Sequence, residues 1–437
     1  MGEDLSRLHA GSTRRPVDAS GAFSATPDAF TPPAGNPRFP LFDSLRAIAA
    51  LCILLLHTAS FSGVEIESWY LGLLVHLDIG VTIFFLISGF LLYRPMVAAR
   101  VLGAPATPWP AYAWRRFLRI APAYWVALTI LALLPGIYGV FTDNWWVYYG
   151  LLQNYPIYSL SADCSSDVLR CGITPVWSLG IEVGFYVALP FFAWGLGGVA
   201  ARVRPSRWFT SELAVLAIVS LASLPLVTRF DTELERLLWY SPLGHGLWFA
   251  LGMAIASVSV RAQQTGVAPR GIDWLSKRPG LAWGAAIGAY AITSIWIFDP
   301  VPGNAVDGTQ YAVQYVTFGL IAALLLLPAA FGDGRSGLPR RILASPVLAW
   351  LGLISYGIFL YHWPIAYALS REGVTEWWPH SPILVLTLVT LVLTVASATA
   401  SYYLVERPIL RLKRLGDSRA VRSGRGTGKQ DLLKGTR

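Results

Sequence analysis

Arg46 precedes His57 by eleven residues inside one apolar stretch, so the pair could hold an anion and accept a proton in nonpolar surroundings. On a helix, steps of about 100° and about 1.5 Å put them about 20° apart on one face and about 16 Å apart along the axis. Asp43 lies one turn before Arg46 and is placed to pair with it. A second basic pair, Arg116 and Arg119, has the spacing at which two guanidinium forks grip phosphate oxygens. Basic residues at a helix end can equally be plain topology anchors. Glu182 is a carboxylate in an apolar run, where an unpaired charge is costly and calls for a partner or a function. His362 and Asp78 fall at comparable depth in other apolar runs. Asp78 reads either as a functional group or as a helix–helix hydrogen-bond anchor. His76 and His245 read as hydrogen-bonded packing residues. No metal-ligand spacing is apparent, and no metal is expected.

Such side chains need a scaffold that holds charge inside hydrocarbon. The 437 residues are 54% hydrophobic and 14% charged, more apolar surface than a soluble core of this size could use. The net charge of +9 is not gathered into one patch, which argues against nucleic acid as a partner. Ten runs are long enough to cross about 30 Å of hydrocarbon: roughly 41–61, 70–93, 117–141, 173–195, 212–228, 239–258, 281–299, 311–331, 347–370 and 382–405. The expected fold is therefore an all-α polytopic integral membrane protein of about ten transmembrane helices in a lipid bilayer. Alternate connecting segments hold 29 of the 34 Lys and Arg residues, while those of the other side hold Arg170, Arg229, Arg236 and Arg371. By the positive-inside rule both termini are cytoplasmic, and the expected location is the plasma (inner) membrane, multi-pass.

Three regions follow. Residues 1–40, rich in Pro and small polar residues and lacking an apolar signal core, read as a disordered cytoplasmic tail. Residues 41–405 form the ten-helix membrane domain. Residues 406–437, with ten Lys or Arg, read as a basic cytoplasmic tail, acting as a topology anchor or lying against anionic lipid. No soluble domain is expected after the tenth span. Cys164 and Cys171 share the longest outer loop, where an oxidising compartment would pair them as a disulfide. Two free thiols are the alternative. Cys52 reads as a small buried hydrophobe.

Several motifs, in order and at their spacings, closely resemble the membrane acyltransferase 3 family, whose members acylate cell-envelope sugars. They are Asp43-Ser44-Leu45-Arg46 with His57, Phe84-Phe85-Leu86-Ile87-Ser88-Gly89-Phe90, and Arg116-Phe117-Leu118-Arg119-Ile120 with Pro122 and Tyr124. Further on come Trp177-Ser178-Leu179 with Glu182, Phe185 and Tyr186, then Ser355-Tyr356-Gly357 with Tyr361-His362-Trp363-Pro364, and Glu406-Arg407-Pro408. The resemblance covers roughly residues 38–414. It implies ten core helices, a cytosolic acyl-CoA donor (acetyl-CoA by default) and an acceptor met from outside. It also implies His57 as catalytic base, Glu182 as a member of the site, and Arg46 with Arg116 and Arg119 in donor binding. The family usually has a second acidic residue after the equivalent of Glu182, but Val183 stands here, which puts any role shared by two carboxylates in doubt.

The expected function is a membrane O-acyltransferase that esterifies a hydroxyl of an envelope polysaccharide or glycolipid. The separation of Arg46 and His57 is comparable with the reach of a phosphopantetheine arm, so phosphates near Arg46 would leave the thioester near His57. Neutral His57 would then take the acceptor's proton as the hydroxyl attacks, or form an acyl-His intermediate. Glu182 would orient the imidazole or hold the acceptor. Ser88, Tyr361 or Trp177 could donate to the oxyanion, and Trp177, Tyr361, His362 and Asp78 are candidate substrate contacts. Succinyl is possible if an outer cation such as Arg170 or Arg371 meets a free carboxylate. A transporter or flippase of an envelope precursor is the rival, although the paired broken helices of many transporters are not visible.

Overall fold

Apolar runs of about twenty residues satisfy their own backbone hydrogen bonds only as helices when lipid surrounds them, and the described residues of the computed structural model contain helices and no strand. The structure describes residues 39–64, 69–137, 140–155, 172–202, 207–228, 232–297, 308–332 and 336–413. These belong to one unit, Pro33–Arg437. Most of the expected N-terminal tail, the basic tail beyond Lys413, and both Cys164 and Cys171 lie outside the described residues.

The long helices are α1 (Leu41–Phe61), α2 (Ile79–Leu102), α3 (Trp109–Leu133), α4 (Trp177–Arg202), α5 (Trp208–Val227), α6 (Gly246–Thr265), α7 (Pro279–Ile297) and α8 (Gly308–Ala330). A corner formed by α9 (Pro346–Leu353) and α10 (Ser355–Arg371) follows, then α11 (Pro382–Ser401). Among the described residues seven spans are long and apolar enough to cross a membrane, and the α9–α10 pair, bent by 71°, gives an eighth when the pair is taken as one span. Eight of the ten expected spans match these. The other two, 239–258 and 281–299, correspond to α6 and α7, helices of 20 and 19 residues outside that set. The second half of α6 carries Ser257, Ser259, Arg261, Gln263 and Gln264, which lowers its apolarity. Trp194, Leu404 and Ile292 are 82%, 76% and 71% exposed, outward faces suited to lipid.

At the centre, α2 packs on α1, α4, α6 and α8. Its contact with α6 is close because a glycine from each helix meets the backbone of the other, as membrane helix pairs favour. A Cβ placed on Gly252 would lie 2.2 Å from the Leu86 carbonyl oxygen, and one on Gly89 would lie 2.5 Å from that of Phe249. On α1, Phe42, Leu45, Ala49 and Ile53 recur at helical spacing and are buried. The N-terminal half of α1 crosses the α9–α10 corner, and Ser44 Oγ donates to the Leu343 carbonyl just before α9 at 2.6 Å. Its C-terminal half runs beside α10 and α11, tied by Thr58 to Thr387 at 2.8 Å and by Ser370 to the Phe61 carbonyl at 2.7 Å. These ties set the face of α1 that carries Arg46 and His57.

Candidate active site

Five helices meet around one cavity. Arg46 enters from α1, Phe84, Phe85 and Ser88 from α2, Arg116, Arg119 and Ile120 from α3, Glu182 and Tyr186 from α4, and Ser355, Tyr356 and Phe359 from α10. Its volume of about 90 Å³ is room for several waters. Arg46 donates to Asp43 Oδ1 at 3.0 Å, one turn back on α1. Glu182 Oε1 accepts from the Ser88 hydroxyl and, at 2.5 Å, from the Tyr186 hydroxyl. The Arg116 guanidinium lies over the Tyr186 ring, 5.7 Å from its centre, a cation–π contact that links the basic pair to the carboxylate. Arg116 Nε is buried without a hydrogen-bond partner. Arg119 faces Glu406 at 3.8 Å, inside a π-helical turn (Tyr402–Glu406).

Arg116 also lines a second cavity, of about 490 Å³, between the ends of α2, α3 and α4. Arg100, Arg115, Trp109, Tyr112 and Trp194 complete its polar and aromatic wall. Arg100 is paired there with buried Glu212, which also accepts from Tyr93 at 2.8 Å and Ser257 at 2.7 Å.

The histidines lie beyond Phe359, whose ring lines the first cavity and sits 6.1 Å from that of His362. His57 Nδ1 is 3.0 Å from His362 Nε2, and His362 Nδ1 is 2.9 Å from the Ile358 carbonyl oxygen. The hydrogen bonds of Glu182 thus run to Ser88 and Tyr186, while the ring beside His57 is that of His362. Ser88 gives its proton to Glu182, so it does not donate to an oxyanion in this arrangement.

Other candidates stand elsewhere. Tyr361 is buried in an apolar cluster with Tyr124, Leu128 and Leu360. Trp177 packs with Trp239 and His245, ring centres 5.3 and 5.9 Å away. Asp78 receives Gln314 at a long 3.4 Å, and its Oδ1 is buried without a partner. Among the described residues no three His, Cys, Asp or Glu side chains are grouped as a metal would need.

Sequence reasoning named no role for Tyr186, Tyr356, Glu406 or Lys413. Tyr186 follows Glu182 by four residues, so helical spacing alone would have placed it on the carboxylate. Tyr356 donates to the Ile120 carbonyl at 3.0 Å and ties α10 to α3. Lys413, expected in a loose tail, is half-buried beside Arg119, Arg116 and Arg115, and burial first, then those charges, push its amine down to about 8.

Residues 40–404 match a family described as an acyltransferase domain. The chain is 27% identical to "Nodulation protein 10" of Rhizobium leguminosarum bv. viciae, over 85% of this chain and 93% of that one. It is 26% identical to "Acyltransferase MdmB" of Streptomyces mycarofaciens, over 92% and 98%. A longer relative is "Peptidoglycan O-acetyltransferase OatA" of Listeria monocytogenes, 24% identical over 75% of this chain and 49% of its own. No solved structure matches the chain.

Proposed function

This chain belongs to the acyltransferase 3 family and is a membrane acyltransferase, and from that premise we propose that it moves an acyl group from cytosolic acyl-CoA to a hydroxyl of an envelope polysaccharide or glycolipid. Acetyl is the favoured group, since two relatives are named as O-acetyltransferases of peptidoglycan. The plasma membrane, with both termini cytoplasmic, is the setting that the Lys and Arg distribution supports. Family membership leaves the transporter reading without support.

One observation carries the proposal: a single cavity gathers three guanidinium groups from α1 and α3 against the Ser88–Glu182–Tyr186 cluster. Because Arg116 borders both cavities, the donor's phosphates belong at that junction, its nucleotide end in the larger cavity and its thioester arm in the narrower. The guanidinium groups hold phosphate. The acceptor hydroxyl attacks the thioester carbonyl, His57 takes its proton, the C–S bond breaks and the leaving thiolate is protonated from His57. Glu182 sets the charge balance around Arg116 through Tyr186.

The test uses detergent-purified protein with labelled acetyl-CoA and succinyl-CoA, together with mass spectrometry of envelope glycans from cells with and without the gene. Acyl-CoA binding and a glycan ester that disappears with the gene are expected. Glycans identical in both strains, with no acyl-CoA bound by folded protein, would overturn the reading.

A further inference from the structure

We infer that His362 is a positioning residue that fixes the tautomer of His57, leaving Nε2 as the base, and shares the charge that forms there. This rests on His57 being the base in acyl transfer. A carbonyl oxygen can only accept, so the 2.9 Å contact from His362 Nδ1 to the Ile358 carbonyl places a hydrogen on that nitrogen. In a neutral imidazole the other nitrogen is then an acceptor, so His362 Nε2 offers a lone pair. That lone pair lies 3.0 Å from His57 Nδ1, which must carry a hydrogen to bond with it. The lone pair of His57 is thereby assigned to Nε2, on the side of the ring away from His362. Three groups thus form a directed chain from the Ile358 carbonyl through His362 to His57.

The chain acts like the carboxylate that orients a catalytic histidine, with one difference suited to its place. His362 is fully buried. A carboxylate there would be a charge in hydrocarbon before any reaction, whereas a neutral imidazole costs far less. When the acceptor hydroxyl attacks, its proton goes to His57 Nε2 and the imidazolium's Nδ1–H is drawn more strongly to His362 Nε2. When the C–S bond breaks, the Nε2 proton passes to the thiolate and both rings return to their first state. The α10 backbone holds His362 in register, because Ile358 lies one helical turn before it.

The experiment compares His362→Gln, His362→Leu and His57→Ala in folded, purified full-length protein. Gln reaches about as far as Nε2 and has an oxygen that accepts from His57 Nδ1, whereas Leu fills similar space and cannot accept. At saturating acetyl-CoA, turnover is expected to fall by about 10²-fold in His362→Leu, within the range a general base supplies, and by less than about tenfold in His362→Gln. The dissociation constant for acetyl-CoA should stay within about twofold in both, which separates positioning from lost folding. Wild-type protein with ¹⁵N-histidine should show a protonated Nδ1 and an unprotonated Nε2 at His57, with the population mixed in His362→Leu. Wild-type-like turnover in His362→Leu, or equal loss in Gln and Leu, would overturn the inference even with His57→Ala inactive. An active His57→Ala would instead remove the base on which it rests.

Discussion

At the level of single residues, the proposed reaction puts chemistry and binding at different places on one helix face. His57 lies about 16 Å beyond Arg46 along α1, next to His362 and outside the ring of cations. His57→Ala is therefore expected to lower acyl transfer by about 10² to 10⁴ with acetyl-CoA affinity largely kept, while Arg46→Ala chiefly weakens affinity. Turnover and equilibrium binding measured on the same preparations check this, and a His57→Ala enzyme retaining more than about a tenth of wild-type turnover contradicts it. Lys413 adds a pH dependence. Its amine is pushed down to about 8 by burial and by the charges of Arg119, Arg116 and Arg115, against an unfolded value of about 10.4. Between those values the unfolded chain binds the proton that the folded chain has released, so this residue's contribution makes stability rise with pH there. Donor phosphate has the opposite preference, since it favours the charged amine. Acetyl-CoA affinity is thus expected to fall as pH rises through about 8, and to fall less in Lys413→Arg, whose charge persists. Titration calorimetry at pH 7 and pH 9 reads the difference, and parallel curves for the two proteins would remove Lys413 from the donor site.

Among the helices, the pairing of α2 with α6 leaves no room for a larger side chain at its glycines. Gly252 lies against the Leu86 backbone and Gly89 against that of Phe249, so a larger residue must push the helices apart. Gly252→Leu is expected to destabilise the protein by at least the 1–3 kcal/mol typical of overpacking, and to lower activity because Ser88 on α2 would leave Glu182 on α4. A lower thermal midpoint in detergent would register the first effect, and an unchanged midpoint would show that the pair can separate freely. This pairing was not legible in the sequence, because glycines at such contacts look like glycines anywhere in a membrane helix. Helix existence was legible, since hydropathy reports length and apolarity. The α9–α10 corner was not: residues 347–370 contain no Asp, Glu, Lys or Arg, and the chain turns at Ile354 with φ −94° and ψ 4° without a proline or a charge to mark it. Arg46 and His57 could be placed on one face because they share one helix. The His57–His362 contact joins residues 305 apart, a distance over which periodicity carries no information.

For the whole molecule, the proposed mechanism requires sides: donor from the cytosol, acceptor from outside. The proposed sidedness rests on charge, because translocating Lys and Arg against the membrane potential costs about 2.3 kcal/mol per charge per 100 mV, and 29 of 34 such residues lie in alternate segments. Arg115, Arg116, Arg119 and Lys413 fall on the basic side by this count, and Glu372 and Glu376 on the other. The expectation is open to a direct chemical test. Cys52, Cys164 and Cys171 are replaced by Ala or Ser, and one cysteine is returned as Glu376→Cys or as Ser423→Cys. Glu376 is exposed in the segment between α10 and α11, so a thiol there can be reached without opening the fold. In spheroplasts a membrane-impermeant maleimide should label Glu376→Cys and leave Ser423→Cys unlabelled until the membrane is permeabilised. Activity of both variants on externally supplied glycan shows that the labelled molecules are the folded ones. Labelling of Ser423→Cys in sealed spheroplasts would invert the protein. The guanidinium cluster would then face away from cytosolic acyl-CoA, and the donor would have to be a species found outside the cell.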